Sequence, residues 1–163
     1  MTRARDLAKY ANFSGTEVIL DADGDTTVTA DTDDKIDFKV AGTDAIQFDD
    51  NGRILVTHTQ SANIGGAECK VQIQGTTTET SSLSLKCNAN STAAPSIRFG
   101  KSRGTSVNTE TVVQDGDEYG VLVFSGADGT DTQSQAGIIL YGVAGTPGAN
   151  DTPGKLRMGV TAD

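Results

Sequence analysis

The feature that most constrains the fold is a two-residue alternation of apolar and polar side chains between closely spaced turns. In KIDFKV at 35–40, Ile36, Phe38 and Val40 fall on one side and charged residues on the other. The segment AIQF at 45–48 repeats this pattern. A period of two is typical of a half-buried β-strand. We therefore expect the apolar side, with the Phe38 ring, to face inward.

Further strand-like segments flank this pair at intervals of about ten residues. They are VIL at 18–20, TTVTA at 26–30 and RILV at 53–56, and turns rich in Asp and Gly separate them. β-branched residues favour strands, whereas Asp and Gly favour turns. The pattern predicts a β-meander or coiled β-repeat over residues 14–60.

The second half of the chain, 61–163, also indicates strands and no helical periodicity. In GKLRMGV at 154–160 we expect Leu156 and Met158 to point inward, with the two basic residues between and beside them pointing out. Six such segments predict an antiparallel β-sandwich-like or barrel-like module. They are KVQIQG, SLSLKC, SIRFG, EYGVLVFSG, AGIILYGV and GKLRMGV.

The first thirteen residues differ in character from this all-β remainder. RARDLAKYAN at 3–12 contains good helix formers and is basic within an acidic protein. A short helix or an extended arm fits the segment, and a frayed terminus is the alternative. We interpret 1–13 as a docking arm for another protein, with these contact residues: Arg3, Arg5, Leu7 and Tyr10.

Composition excludes some partners and favours assembly. The formal charge of -9 leaves no basic patch for nucleic acid or an anionic membrane. The longest apolar run, 137–143, is too short to span a bilayer, and the N-terminus lacks a signal-peptide pattern, so we expect synthesis in a cytoplasm. Aromatic residues are only 5% of the chain, with no Trp. Such a thin core would gain from oligomerisation.

The cysteines and the histidine suggest no catalytic centre. Cys69 and Cys87 match no metal-binding spacing, and we expect buried thiols without a disulfide. His58 lies in a polar connection, and no serine stands in a GxSxG motif. Carboxylates are plentiful enough for a glycosidase, but a ring-lined sugar cleft is not apparent. We predict a non-enzymatic protein with no cofactor.

The acidic turn DADGD resembles a calcium loop but fails the EF-hand pattern. If Gly24 stands at position 6, position 1 becomes Ile19, which cannot ligate a cation. Solvated turns are the preferred interpretation. The alternative is a looser cation site formed by Asp21, Asp23 and Asp25 with Asp31 or Asp33.

Three polar loops are candidate contact surfaces: 102–117, 125–136 and 144–154. In the last, Pro147 and Pro153 each precede Gly, which predicts type II turns. A plain hairpin connection is preferred there over a binding loop. The candidate contact residues of the three loops are Arg103, Asp128, Asp131 and Asn150.

Two long stretches carry a resemblance to a known family. ILDADGDTTVTADTDDKIDFKVAGTDAIQFDDNGRI resembles a β-rich repeat of tail-fibre and related structural proteins of tailed bacteriophages. The second half, with SRGT, VxQDGDExGxLxFxGADGTD and GTPGxNDxPGxL, is similar to a module of phage fibres. The resemblance covers about residues 17–163.

The resemblance implies a homotrimer located in the virion. It suggests a tail fibre, or the virion-proximal part of one, attached to other virion proteins through the N-terminal arm. The alternatives are a receptor-binding protein that contacts a host surface glycan, a capsid decoration protein and a polysaccharide depolymerase. Long polar loops on an all-β scaffold suit an exterior surface of this kind.

Overall fold

The computed structural model describes residues 17–30 and 32–162, and this part of the chain is nearly all-β. It contains two sheets, of six and three strands, and a single short 3-10 turn at Glu79–Ser81. The all-β prediction is confirmed. Within the described ranges, no helix is long and apolar enough to cross a bilayer. The predicted arm at 1–13 lies outside these ranges.

The described chain divides into two compact units. The first comprises residues 17–30, 32–62 and 68–83, and the second comprises 63–67 and 84–162. The boundaries expected from the sequence, 1–13, 14–60 and 61–163, stay a prediction.

The first unit is built on a meander of five antiparallel strands followed by one parallel strand. Strands β1 to β5 pair in chain order, and turns rich in Asp and Gly connect them. β6 then pairs with β5 in the parallel direction, with Leu55 opposite Gln72. The strands are β1 Val18–Ile19, β2 Thr27–Thr29, β3 Ile36–Val40, β4 Thr43–Phe48, β5 Ile54–Val56 and β6 Val71–Ile73.

The predicted inward face of the meander is wrong: its polar side is the buried one. Ile36 and Val40 are 45% and 57% exposed, whereas Asp37 between them is only 6% exposed. The predicted alternation of apolar and polar side chains is present. Around Asp37 and Phe38, the strand register aligns polar residues with polar ones and apolar residues with apolar ones across neighbouring strands. The buried row crosses five strands and comprises Thr29, Asp37, Gln47, Leu55 and Gln72.

The buried polar row is partly satisfied by hydrogen bonds of Gln47 and Gln72, whereas the Thr29 hydroxyl and the Gln47 side-chain oxygen have no partner among the described residues. The Gln47 side-chain amide donates to the Asp37 carboxylate. The side-chain oxygen of Gln72, Oε1, accepts a hydrogen bond from the Ala62 backbone N–H at 2.8 Å. This bond attaches the connection after β5 to the buried row. Buried polar groups are tolerated when such bonds replace those to water. On the apolar side, Phe38 and Phe48 pack edge to face with ring centroids 6.0 Å apart.

The second unit has one antiparallel sheet of three strands, in the order β7, β8, β9. Strand β8 lies in the centre, and Leu140 and Val143 on it are buried. Both neighbouring strands are edges. Their bounds are β7 Glu118–Ser125, β8 Gln135–Val143 and β9 Gly154–Val160.

Two of the six strands predicted for the second half do not form, and a third belongs elsewhere. SLSLKC and SIRFG contain no strand residues, and KVQIQG supplies β6 of the first sheet. A strand needs a neighbour to hydrogen-bond its backbone, and residues 84–101 pair with no strand in the described chain. Leu156 and Met158, predicted to point inward, are 56% and 73% exposed.

Candidate interaction surface

One face of the second sheet is apolar along all three strands. Register places Leu122, Ile139 and Met158 in a single row across β7, β8 and β9. The rows on either side continue the pattern, because alternate residues of a strand share a face. We call the following residues the apolar sheet face: Leu122, Phe124, Ile139, Tyr141, Leu156, Met158 and Val160.

The apolar sheet face is exposed within the single chain. Exposed fractions of its residues run from 36% for Ile139 to 88% for Val160. With whole side chains of roughly 150–250 Å², these fractions amount to on the order of 800 Å². The largest apolar patch on a typical monomer is about 300–600 Å², and larger patches mark interaction sites. The area is also close to the roughly 800 Å² that one partner contributes to a standard interface.

A shallow groove of about 260 Å³ opens on this face beside two tyrosines. The rings of Tyr119 and Tyr141 lie 5.8 Å apart, and the Phe99 ring forms part of the wall. The Phe99 side chain lies directly over Gly120, where an added Cβ would be 2.7 Å from the Phe99 Cβ. The groove lining contains no acidic residue, so no carboxylate faces the tyrosine rings across the groove as a sugar site would need. The groove suits an apolar partner.

Arg103, a predicted contact residue, forms an ion pair within its own loop. Its Nε and Nη2 atoms donate to the Asp117 carboxylate at 2.6 and 2.7 Å. The Arg103 hydrogen bonds, with one from the Gln114 backbone N–H, hold the pKa of Asp117 well below its usual range. The Asp117 carbonyl in turn accepts from the Val143 N–H at 2.7 Å, which ties the loop to the end of β8. The guanidinium therefore orders the loop.

Two of the three predicted contact loops meet. Asp115 in loop 102–117 accepts a hydrogen bond at 2.9 Å from the backbone N–H of Gly145 in loop 144–154. A cleft of about 320 Å³ lies between these loops. It is lined by Val112, Val113, Gln114, Asp115, Gly145, Thr146 and Pro147, and this lining contains no aromatic residue.

Asp128 and Asp131 lie together in one turn of loop 125–136. The Asp128 carboxylate accepts from the backbone N–H groups of Thr130 and Asp131 at 2.8 and 3.1 Å, and from the Ser134 hydroxyl at 3.0 Å. These hydrogen bonds lower the pKa of Asp128, and the bond from the Thr130 N–H has the largest effect. Asp131 similarly accepts from the Gln133 N–H at 2.8 Å. Both carboxylates build the turn.

The predicted type II turns at the two Pro-Gly pairs are wrong. A type II turn needs a positive φ at its third residue, but neither Gly148 nor Gly154 is among the positive-φ residues. The chain instead reverses between Gly148 and Asp151, which exchange backbone hydrogen bonds of 2.9 and 3.1 Å. Asn150, the predicted contact residue, takes the left-handed conformation in this turn with φ at 59°. Asn tolerates that conformation better than most residues do.

The remaining candidate sites have simple local explanations. The carboxylates of Asp21, Asp23 and Asp25 lie within 4.8 Å of one another and are all exposed. Asp21 accepts from the backbone N–H of Gly24 at 3.1 Å, as in an ordinary Asp turn. Asp31 lies outside the described residues. The His58 Nδ1 atom donates to the carbonyl of Val56 at 2.8 Å.

The prediction that both cysteines are buried is wrong. Cys69 and Cys87 are free and exposed. Cys69 lies just before β6, and Cys87 lies in the segment whose predicted strand does not form. Each therefore lacks the packed strand environment that the prediction assumed.

The predicted docking residues lie outside the described ranges, and comparisons with known proteins add no family. Nothing is described for Arg3, Arg5, Leu7 or Tyr10. No protein-family model matches the chain, and a comparison with curated proteins finds no match. The fold defines an all-β protein of two sheets whose most distinctive surface is the apolar sheet face.

The groove and the role of two strand glycines were not predicted from the sequence. Gly120 stands inside β7 and Gly154 begins β9, and glycine in a strand often marks a close approach. An added Cβ on Gly154 would lie 2.5 Å from the Tyr141 hydroxyl oxygen. The glycines next to apolar strand residues are visible in the sequence. The side chains that cover them, Phe99 and Tyr141, lie in other segments, so the close contacts could not be predicted from the local pattern.

Proposed function

We propose that this chain is a non-enzymatic structural protein of a tailed-phage particle. It forms a homotrimeric tail fibre, or the virion-proximal part of one. Residues 1–13 attach it to other virion proteins, with Arg3, Arg5, Leu7 and Tyr10 in contact. The virion is its location after synthesis in the host cytoplasm.

The observation that carries this proposal is the exposed apolar sheet face. Leaving on the order of 800 Å² of apolar surface in water is unfavourable by about 25 cal/mol per Å². Packing this face against other copies removes that cost and completes a sandwich-like module between subunits. The described residues bury few apolar side chains, which also supports a core shared between subunits. The buried ones are Leu55, Val113, Leu140 and Val143.

Glycan binding and capsid decoration are the alternatives. A host glycan site is less well supported, because sugar sites need polar groups around a ring. The ring-lined groove is apolar, and the cleft between loops 102–117 and 144–154 has no ring. A capsid decoration protein would also be a trimer attached through an N-terminal arm. It would differ from a fibre only in its location on the particle.

The solution mass of the purified chain, measured by light scattering, tests the assembly. The expected value is near three times 16.9 kDa. Met158→Asp places a charge on the apolar sheet face and should reduce the mass to that of one chain without unfolding it, because Met158 is 73% exposed. Lys155→Asp, on the opposite side of the same strand, is the matched control and should keep the trimer. A monomeric wild-type chain would overturn the proposal.

Purified phage particles test the location. Antibodies against the chain should label the tail in electron micrographs, whereas labelling of the head surface would favour decoration. Deletion of residues 2–12 should leave a folded trimer that no longer enters particles. Normal incorporation of the truncated chain would contradict the docking role of the arm.

A further inference from the structure

Residues 84–101 form an exposed segment whose backbone lacks partners within the described chain. Every residue in this range is exposed. None of them makes a backbone–backbone hydrogen bond with another described residue, and none belongs to a strand. Connections this long without structure of their own are uncommon in compact domains, where they are usually either functional or linkers.

The segment nevertheless has the sequence pattern of two strands. Leu85 and Cys87 alternate with polar residues, and Ile97 and Phe99 do so again after a polar link. Leu85, Ile97 and Phe99 are 46%, 62% and 56% exposed. A period of two with one apolar side is typical of a strand that packs on one face. The segment therefore lacks a neighbouring strand, not strand character.

The second unit also has a strand edge that nothing in the described chain covers. β9 pairs with β8 alone, and all seven of its residues are exposed. Such an edge presents a row of unpaired N–H and C=O groups and is a template for another strand. On its apolar side it carries Leu156, Met158 and Val160, at the margin of the apolar sheet face.

The segment of the same chain is held at the other edge of the sheet. Phe99 packs against Gly120 of β7, and β7 and β9 lie on opposite sides of β8. Two strand spacings separate these edges by about 10 Å. Within the described chain the segment does not pair with β9, and each copy therefore offers both an unpaired strand and an unpaired edge to another.

We propose that the strand-like stretch of residues 84–101 that contains Leu85 and Cys87 adds, from one subunit, to the free edge of β9 in a second copy. This inference rests on the proposed assembly and names how its subunits join. Main-chain hydrogen bonds to β9 would supply the pairing, and the alternating side chains would set the register. Leu85 and Cys87 would then extend the apolar sheet face across the subunit boundary.

Hydrogen exchange on the wild-type protein gives the first test. In the assembled protein, amides around Leu85 and Cys87 and those on β9 should exchange slower than in an unstructured peptide by on the order of tenfold or more. Amides around Val107, a loop residue that is 90% exposed, serve as an internal reference for fast exchange. Exchange around Leu85 and Cys87 as fast as in the free peptide would overturn the proposal.

Disulfide trapping gives the second test, with Cys87 as a natural probe. In a Cys69→Ser background, single cysteines replace Leu156, Met158 or Val160, which sample the apolar side of the edge. Directly opposed residues of neighbouring strands have Cβ atoms about 4.5–5.5 Å apart, close to the roughly 3.5–4.5 Å that a disulfide requires. One of the three variants should form a disulfide-linked pair of chains under mild oxidation at least about tenfold faster than the control Val107→Cys.

The outcomes separate this inference from the proposed function. A trimeric mass with rapid cross-linking supports both. A trimeric mass with no variant faster than the control overturns the strand addition and leaves the trimer intact. A monomeric mass overturns both, because no second copy is then present to supply the strand.

Discussion

Arg103 and Asp117 form a two-pronged ion pair, with Nε 2.6 Å from one carboxylate oxygen and Nη2 2.7 Å from the other. The pair closes a loop that contains no strand and whose end is fastened to Val143. Planar Arg–carboxylate pairs of this kind give orientation as well as attraction. The pair thus orders a polar surface loop that lacks sheet hydrogen bonds.

Arg103→Ala should lower the melting temperature at pH 7 by a few degrees, and the difference from wild type should narrow in acid. The pKa of Asp117 is lowered in the folded protein, chiefly by the Arg103 hydrogen bonds. Because the pKa of Asp117 is lower in the folded protein than in the unfolded chain, the ionised carboxylate stabilises the fold at pH values above the unfolded pKa of about 4. This contribution is lost as the pH falls below about 4 towards the folded pKa. Thermal melts at pH 7, 4 and 2.5 would measure this.

The control for Arg103 is Glu110→Ala, which removes an exposed charged side chain from the same loop, 102–117. Its melting temperature should match wild type at each pH. An Arg103→Ala difference that stays constant from pH 7 to pH 2.5 would show that the guanidinium acts through packing and not through Asp117.

Asp128→Ala should destabilise the turn of loop 125–136, and Asp128→Asn should do so less. The carboxylate accepts three hydrogen bonds, two from backbone N–H groups and one from Ser134. An Asn side chain keeps one acceptor oxygen, whereas Ala keeps none. Thermal melts should rank the wild type first, then Asn, then Ala, with an unchanged assembled mass. Equal melting temperatures for all three would favour a contact role over a turn-forming one.

Gly120→Ala should destabilise the second unit by about 1–3 kcal/mol, the usual cost of overpacking. The added methyl group would lie 2.7 Å from the Cβ and Cγ atoms of Phe99, so the ring must move. Gly126→Ala, where nothing lies within 4 Å, is the matched control and should be neutral. Chemical denaturation curves would measure both, and equal values would show that Phe99 does not rest on Gly120.

Gln47→Leu should destabilise the meander by about 1–3 kcal/mol, because it leaves a buried polar group without its partner. The Gln47 amide donates to Asp37, and the two residues are 5% and 6% exposed. Thr43→Leu changes an exposed residue of the same strand and should have little effect. A stabilising effect of Gln47→Leu, measured by denaturation, would show that the polar side of the meander prefers apolar residues.

The local pattern of the sequence determined the class of fold and the course of the meander. A period of two can arise only from an extended chain, and Asp and Gly at short intervals force it to turn. Residues 36–40 and 43–48 therefore could be paired as neighbouring strands from the sequence. GKLRMGV was recognised by the same alternation, whereas EYGVLVFSG and AGIILYGV were recognised as short apolar runs between turns.

Tertiary structure alone decided which side of each sheet is covered and which strand-like segments find a neighbour. Alternation assigns Asp37 and Phe38 to opposite sides of β3, but burial of Asp37 depends on Gln47 and on the connection that reaches Gln72. A strand likewise forms only where a second backbone offers hydrogen bonds, so β6 forms beside β5 while 84–101 does not pair. These contacts join residues far apart in the chain, and a local pattern carries no information about them.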